Sequence, residues 1–141
     1  MQQRNYQREM DALIASLDAR PRLLLHSCCG PCSSACLERL APHFDIDVFF
    51  YNPNILPAEE WEKRLFWQKH LLETAPFGKN VGLIVPERDE TAFRLAAAGL
   101  EAEAEGGARC TECFVLRLSR TAEAAREGGY DYFATTLTVS P

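Results

Sequence analysis

The chain has 141 residues, of which 47% are hydrophobic and 25% charged, with a formal net charge of −5. A chain of this length buries about two thirds of the surface that its unfolded form exposes, so a single domain over residues 1–141 is expected to hold together without disulfide staples. No apolar run reaches the roughly 18 residues of a membrane span, the polar start lacks the apolar segment of a secretory signal, and the acidic balance argues against a nonspecific nucleic-acid coat protein.

Tyr6, Met10, Leu13, Ile14 and Leu17 recur at helical spacing and Pro21 stops the pattern, which predicts an amphipathic helix within residues 1–20, outside the main sheet. Residues 22–141 then read as the core of the domain. Arg22–His26 is a short apolar run, followed by the tight loop Ser27-Cys-Cys-Gly-Pro-Cys32 and a helix with Cys36, Leu37 and Leu40 on one face. A second strand, Asp47–Tyr51, leads into the turn-rich Asn52-Pro-Asn54. Pro57 with Glu59 and Glu60 marks the next helix start, and Glu60 can pair with Arg64 one turn on. Val81–Val85 is the third strand, and the helix after it aligns Ala92, Leu95, Ala96 and Gly99 on one side. Gly99–Arg109 reads as an exposed connector. From Cys110 a helix presents Phe114, Leu118, Ala122 and Ala125 on one face and closes at Gly128-Gly129, where glycine suits a left-handed cap. Tyr130–Phe133 begins a fourth strand. This alternation predicts an α/β fold, a parallel sheet flanked by helices.

Six cysteines in a chain without an export signal would stay reduced in the cytoplasm, so they read first as metal ligands or redox groups. In sheets of this class ligands sit outside the carboxyl ends of the strands, which is where the loop of Cys28, Cys29 and Cys32 falls. The start of the following helix favours a thiolate there, at Cys32 above all. Cys110-Thr-Glu-Cys113 puts a second thiol pair on one helical turn. Nearly the whole core separates the two groups, unlike a zinc ribbon, and adjacent Cys28 and Cys29 would strain around one tetrahedral ion. An iron–sulfur cluster is favoured, with structural zinc the alternative. Cys29-Gly-Pro-Cys32 also has thioredoxin spacing, a reading that leaves Cys28, Cys110 and Cys113 without a role. Cys36 reads as a small core hydrophobe and His26 as a satisfied core histidine. Arg117 and Arg120 read as a solvated helix face or, given the nearby cysteines, as an anion contact. Tyr51, Asn52 and Asn54 read as a turn or as pocket lining.

Leu24-Leu-His-Ser-Cys-Cys-Gly-Pro-Cys32, Phe50-Tyr-Asn-Pro-Asn54, Cys110-Thr-Glu-Cys113-Phe-Val-Leu-Arg117 and Asp131-Tyr-Phe-Ala-Thr-Thr-Leu-Thr-Val-Ser-Pro141 together resemble the epoxyqueuosine reductases of the QueH type. The resemblance implies a fold like the adenine-nucleotide hydrolase and PP-loop group, and reduction of epoxyqueuosine to queuosine at the wobble position of tRNA. It implies a [4Fe–4S] cluster on Cys28, Cys29, Cys110 and Cys113, with Cys32 beside it as ligand to an additional mononuclear iron or as a redox thiol. It further implies substrate contacts from Tyr51, Asn52, Asn54 and Arg117, an external electron donor, and no use of ATP, because cysteines occupy the loop that cradles phosphate in ATP-using relatives of the fold. Family members are expected to continue beyond Ser140-Pro141 with another cysteine pair, so the chain is expected to be truncated at its C-terminus. The alternatives from other classes are a thioredoxin-like oxidoreductase, a zinc-holding tRNA-binding domain without turnover, and an ATP-dependent tRNA-thiolating enzyme.

Overall fold

The computed structural model describes residues 5–28, 30–55, 57–87, 90–100 and 107–136, leaving aside the side chains of residues 6, 7, 31, 32, 90, 109 and 110. In chain order the elements are helix α1 (Tyr6–Ser16), strand β1 (Arg22–His26), α2 (Gly30–Leu40), β2 (Asp45–Phe49) and α3 (Ala58–Thr74). A short 3-10 helix (Pro76–Asn80), β3 (Gly82–Ile84), α4 (Glu90–Ala96), α5 (Ala108–Glu127) and β4 (Tyr132–Thr135) follow. The four strands pair in the order β3-β2-β1-β4, every pairing parallel. The α/β expectation holds.

The sheet has a core on each face because successive strand residues point to opposite sides. Leu23 and Leu25 of β1 join Ile46, Val48, Leu37, Phe44 and Leu72 in one cluster, against which Ile14 of α1 and Leu17 just after it also pack. Leu24 points the other way, into a cluster with Phe49, Tyr51 and Ala125 under α5. The middle of β1 is buried on both sides, which is why Leu23–Leu25 is an unbroken apolar run.

Helix α1 is capped by Asn5, whose side chain accepts from the Arg8 N–H at 3.0 Å. Helix α3 begins directly after Pro57, and the Glu60–Arg64 pair forms at 3.0 Å. After α5 the chain turns on Gly129, whose φ of +70° is left-handed as the Gly-Gly pair predicts.

Several boundaries and faces differ from the sequence reading. Strand β2 ends at Phe49 rather than Tyr51, and β4 starts at Tyr132 rather than Tyr130, whose hydroxyl instead bonds Asp47. Leu95, expected on the inner side of α4, is 72% exposed, and Ala97 just after the helix is the buried residue. Most of the Gly99–Arg109 connector and residues 137–141 lie outside the described residues. No helix among the described residues is long and apolar enough to cross a membrane.

Candidate functional site

Helix α5 runs antiparallel to β1, and this orientation builds the site. At the amino edge of the sheet the Arg22 Nη1 donates to the Gly128 carbonyl at the end of α5, 2.7 Å away. At the carboxyl edge the Arg117 guanidinium, three turns earlier, is close enough to His26 to oppose its protonation. The first turns of α5, with Cys110 and Cys113, therefore stand over the same edge as the loop that follows β1.

The inward stripe of α5 is polar where it nears that edge. Cys113 is 6% exposed, Thr121 is fully buried, Ala125 is 5% exposed and Arg117, between the first two, is half-buried. Residues 113, 117, 121 and 125 are four apart and share one face. This stripe sits one residue from the Phe114, Leu118, Ala122 stripe expected to be innermost, and all three of those are only half-buried. Arg117 is thus turned toward the sheet. Arg120 is half-exposed and pairs with Glu123 at 3.5 Å, so of the two arginines it alone sits on the solvated face.

His26 ties three strand ends together. It is fully buried, with Nε2 2.9 Å from the Tyr51 carbonyl and Nδ1 3.0 Å from the Thr135 hydroxyl. A carbonyl only accepts, so Nε2 bears the proton and Nδ1 accepts from Thr135. Burial, aided by the Arg117 charge, lowers its pKa from 6.5 to about 4, so the ring is neutral at physiological pH. The core-histidine reading describes it well. Next to it the Asn52 Nδ2 donates to the Ser27 carbonyl at 2.8 Å and holds the end of β1 one residue before Cys28.

The same edge collects polar atoms without partners. Among the described residues, Asn52 Oδ1, Asn54 Oδ1, Arg117 Nε and Thr136 Oγ1 are buried and make no hydrogen bond. They come from the loop after β2, from α5 and from the end of β4, and such groups are costly unless a ligand or solvent satisfies them. Tyr51 and Asn52, at 4% and 1% exposure, are buried in the edge, not displayed in an open turn. Thr136 is an addition to the residues singled out in the sequence; it lies inside the Thr135-Thr-Leu-Thr motif, which was the available signal.

Cys28 is half-buried directly after β1 and Cys113 is buried on α5. Cys32 lies in the first turn of α2 and Cys110 in the first turn of α5, with their side chains outside the described residues, as is the whole of Cys29. Among the described residues no three His, Cys, Asp or Glu side chains form a ready metal site. Thiols are soft donors of the kind that hold iron–sulfur clusters, and Cys28 and Cys113 come from two elements that approach one sheet edge. Cys36 packs against the Leu23–Leu25 cluster and burial pushes its thiol above the ordinary value, as a core residue should behave.

An α/β protein with a cysteine-bearing loop after its first strand, a second cysteine pair on the facing helix and unpartnered buried polar atoms at the same sheet edge defines the class. A family model described as epoxyqueuosine reductase QueH matches residues 23–141, and the chain belongs to that family. It is 41% identical to the epoxyqueuosine reductase QueH of Staphylococcus epidermidis over 97% of its own length and 60% of the relative's. Against the Streptococcus pyogenes protein of the same name the identity is 39%, over 97% and 56%. Against that of Thermotoga maritima it is 34%, over 84% and 60%. The chain therefore spans less than two thirds of the length of these relatives.

Proposed function

We propose that this chain reduces epoxyqueuosine to queuosine in tRNA, working in the cytoplasm with an external electron donor and without ATP. The observation that supports this reading best is the set of unpartnered buried polar atoms on Asn52, Asn54, Arg117 and Thr136, gathered at the edge where the cysteine loop ends β1. Deoxygenation of an epoxide breaks both C–O bonds, forms a C=C bond and consumes two electrons and two protons as the oxygen leaves in water. A [4Fe–4S] cluster on Cys28, Cys29, Cys110 and Cys113, with a further iron or a redox thiol at Cys32, would supply those electrons one at a time and a Lewis acid for the oxygen.

The protein's own groups do the rest. Asn52 Oδ1 and Asn54 Oδ1 accept from donors on the modified base, while Arg117 Nε donates to an acceptor on it. Tyr51, stacked on Phe49 with ring centroids 6.0 Å apart, backs the pocket with a rigid apolar wall. Neutral His26 holds the Tyr51 carbonyl in place and releases no proton near neutrality. An anticodon-loop base can enter such a pocket without opening a duplex.

The test is single-turnover reduction by the anaerobically prepared chain, with dithionite as electron source and tRNA bearing epoxyqueuosine as substrate. The expected result is loss of one oxygen from the modified nucleoside, read by mass spectrometry. Unchanged epoxyqueuosine with the iron-loaded chain would contradict the reading.

A further inference from the structure

The loop that carries Cys28, Cys29 and Cys32 is fastened from outside the sheet by a residue on α3. Gln68 is fully buried although it lies on a helix rich in charged side chains, and its amide sits between Ser27 and Ser33, the two residues that bracket the cysteine segment. Ser27 Oγ donates to Gln68 Oε1 at 2.7 Å. Gln68 Nε2 donates to Ser33 Oγ at 3.2 Å, and Ser33 Oγ donates to the Gly30 carbonyl at 2.9 Å. A hydroxyl has one proton, so the longer approach of Ser33 Oγ to Gln68 Oε1, 3.4 Å, is a contact and not a third bond.

Backbone packing reinforces the tie. A Cβ at Gly30 would stand 3.2 Å from the Trp67 carbonyl, so the loop rests on the α3 backbone at the residue before Gln68. Strand alternation explains why the two sides of the edge differ: His26 points toward α5 and Arg117, while Ser27 points toward α3. A buried amide is costly unless satisfied, and an apolar side chain could fill the same space. Its hydrogen bonds go to the two ends of the cysteine segment and to nothing else described.

We infer that Gln68 is a positioning residue for the cysteine loop, acting through Ser27 and Ser33 to fix the two ends of the segment that carries the cysteines. The inference rests on the reading that these cysteines form the redox site, but the brace itself can be measured without metal. In the metal-free full chain, the rate of iodoacetamide alkylation at each cysteine is followed by fragment-ion mass spectrometry. Gln68→Met is expected to react about tenfold faster at Cys28, Cys29 and Cys32, a local opening of about 1.4 kcal/mol. Cys36 and Cys113 should keep their parental rates and the thermal midpoint should stay within a few degrees. If Gln68→Met fails to fold, every cysteine reacts fast, and Ser27→Ala, which removes one arm of the brace, then decides with a smaller acceleration confined to the loop. Loop cysteines reacting at the parental rate in either folded variant would overturn the inference. Reconstitution with iron and sulfide separates this from the larger reading. A parent chain that takes up no iron sinks the redox site but leaves the alkylation result to judge the brace. A Gln68→Met chain that resists a chelator as well as its parent and alkylates at the parental rate sinks the brace alone.

Discussion

Cys113→Ala is expected to abolish epoxyqueuosine reduction while leaving the fold in place. The residue is buried at 6% exposure on the face of α5 that meets the sheet, a position where a thiol could be only packing or a ligand. Loss of a small buried side chain costs about 1 kcal/mol in packing, whereas loss of a cluster ligand removes the group that delivers electrons. Turnover should therefore fall to background with a thermal midpoint shifted by only a few degrees. Cys36→Ala provides the contrast: its thiol packs in the Leu23–Leu25 cluster, so it should lose a similar amount of stability and keep its activity. Equal loss of activity in the two variants, or activity retained in Cys113→Ala, would remove Cys113 from the site.

His26→Ala is expected to destabilise the chain by about 3–5 kcal/mol, the largest effect of any single truncation near the site. It empties a fully buried space and strips a donor from the Tyr51 carbonyl and an acceptor from Thr135, side-chain links that add to the backbone pairing of β1 with its two neighbours. The pH dependence is diagnostic. The folded pKa, about 4, lies below the ordinary 6.5, so between those values the unfolded chain binds the proton and the folded chain does not. Stability from this residue is complete above about pH 6.5 and is lost as pH falls toward 4. Between pH 7 and pH 5 the metal-free parent should lose about 2 kcal/mol in urea unfolding. His26→Gln cannot titrate, and should lose less than half of that. Parallel pH profiles for parent and His26→Gln would contradict the assignment of a buried neutral histidine.

What the sequence made legible was set by local pattern. Strand β1 could be bounded at both ends because Leu23–Leu25 is buried on both faces and Pro21 and the glycine-bearing loop flank it. The end of β2 is not legible because Phe50 and Tyr51 continue the apolar run while lying beyond the strand, at 0% and 4% exposure. Periodicity cannot separate a buried strand from the buried loop after it. On α5 two candidate stripes lie one residue apart, and apolar periodicity favours the one that is less buried. The site side carries Cys113, Arg117 and Thr121, whose polarity hides their burial from any hydrophobic pattern. The Gln68 brace was invisible for a related reason. Its partners are 35 and 41 residues away, and a glutamine among charged neighbours on a helix reads as solvent-facing.

The proposed activity requires that this fold gather its two cysteine groups around an iron–sulfur centre. The direct measurement is the visible absorption and the iron, sulfide and zinc content of the chain purified without oxygen, set beside Cys110→Ala. The account requires a brown protein with about four irons and four sulfides per chain, bleached in the variant. Colourless protein, whether it holds zinc or no metal at all, would contradict it.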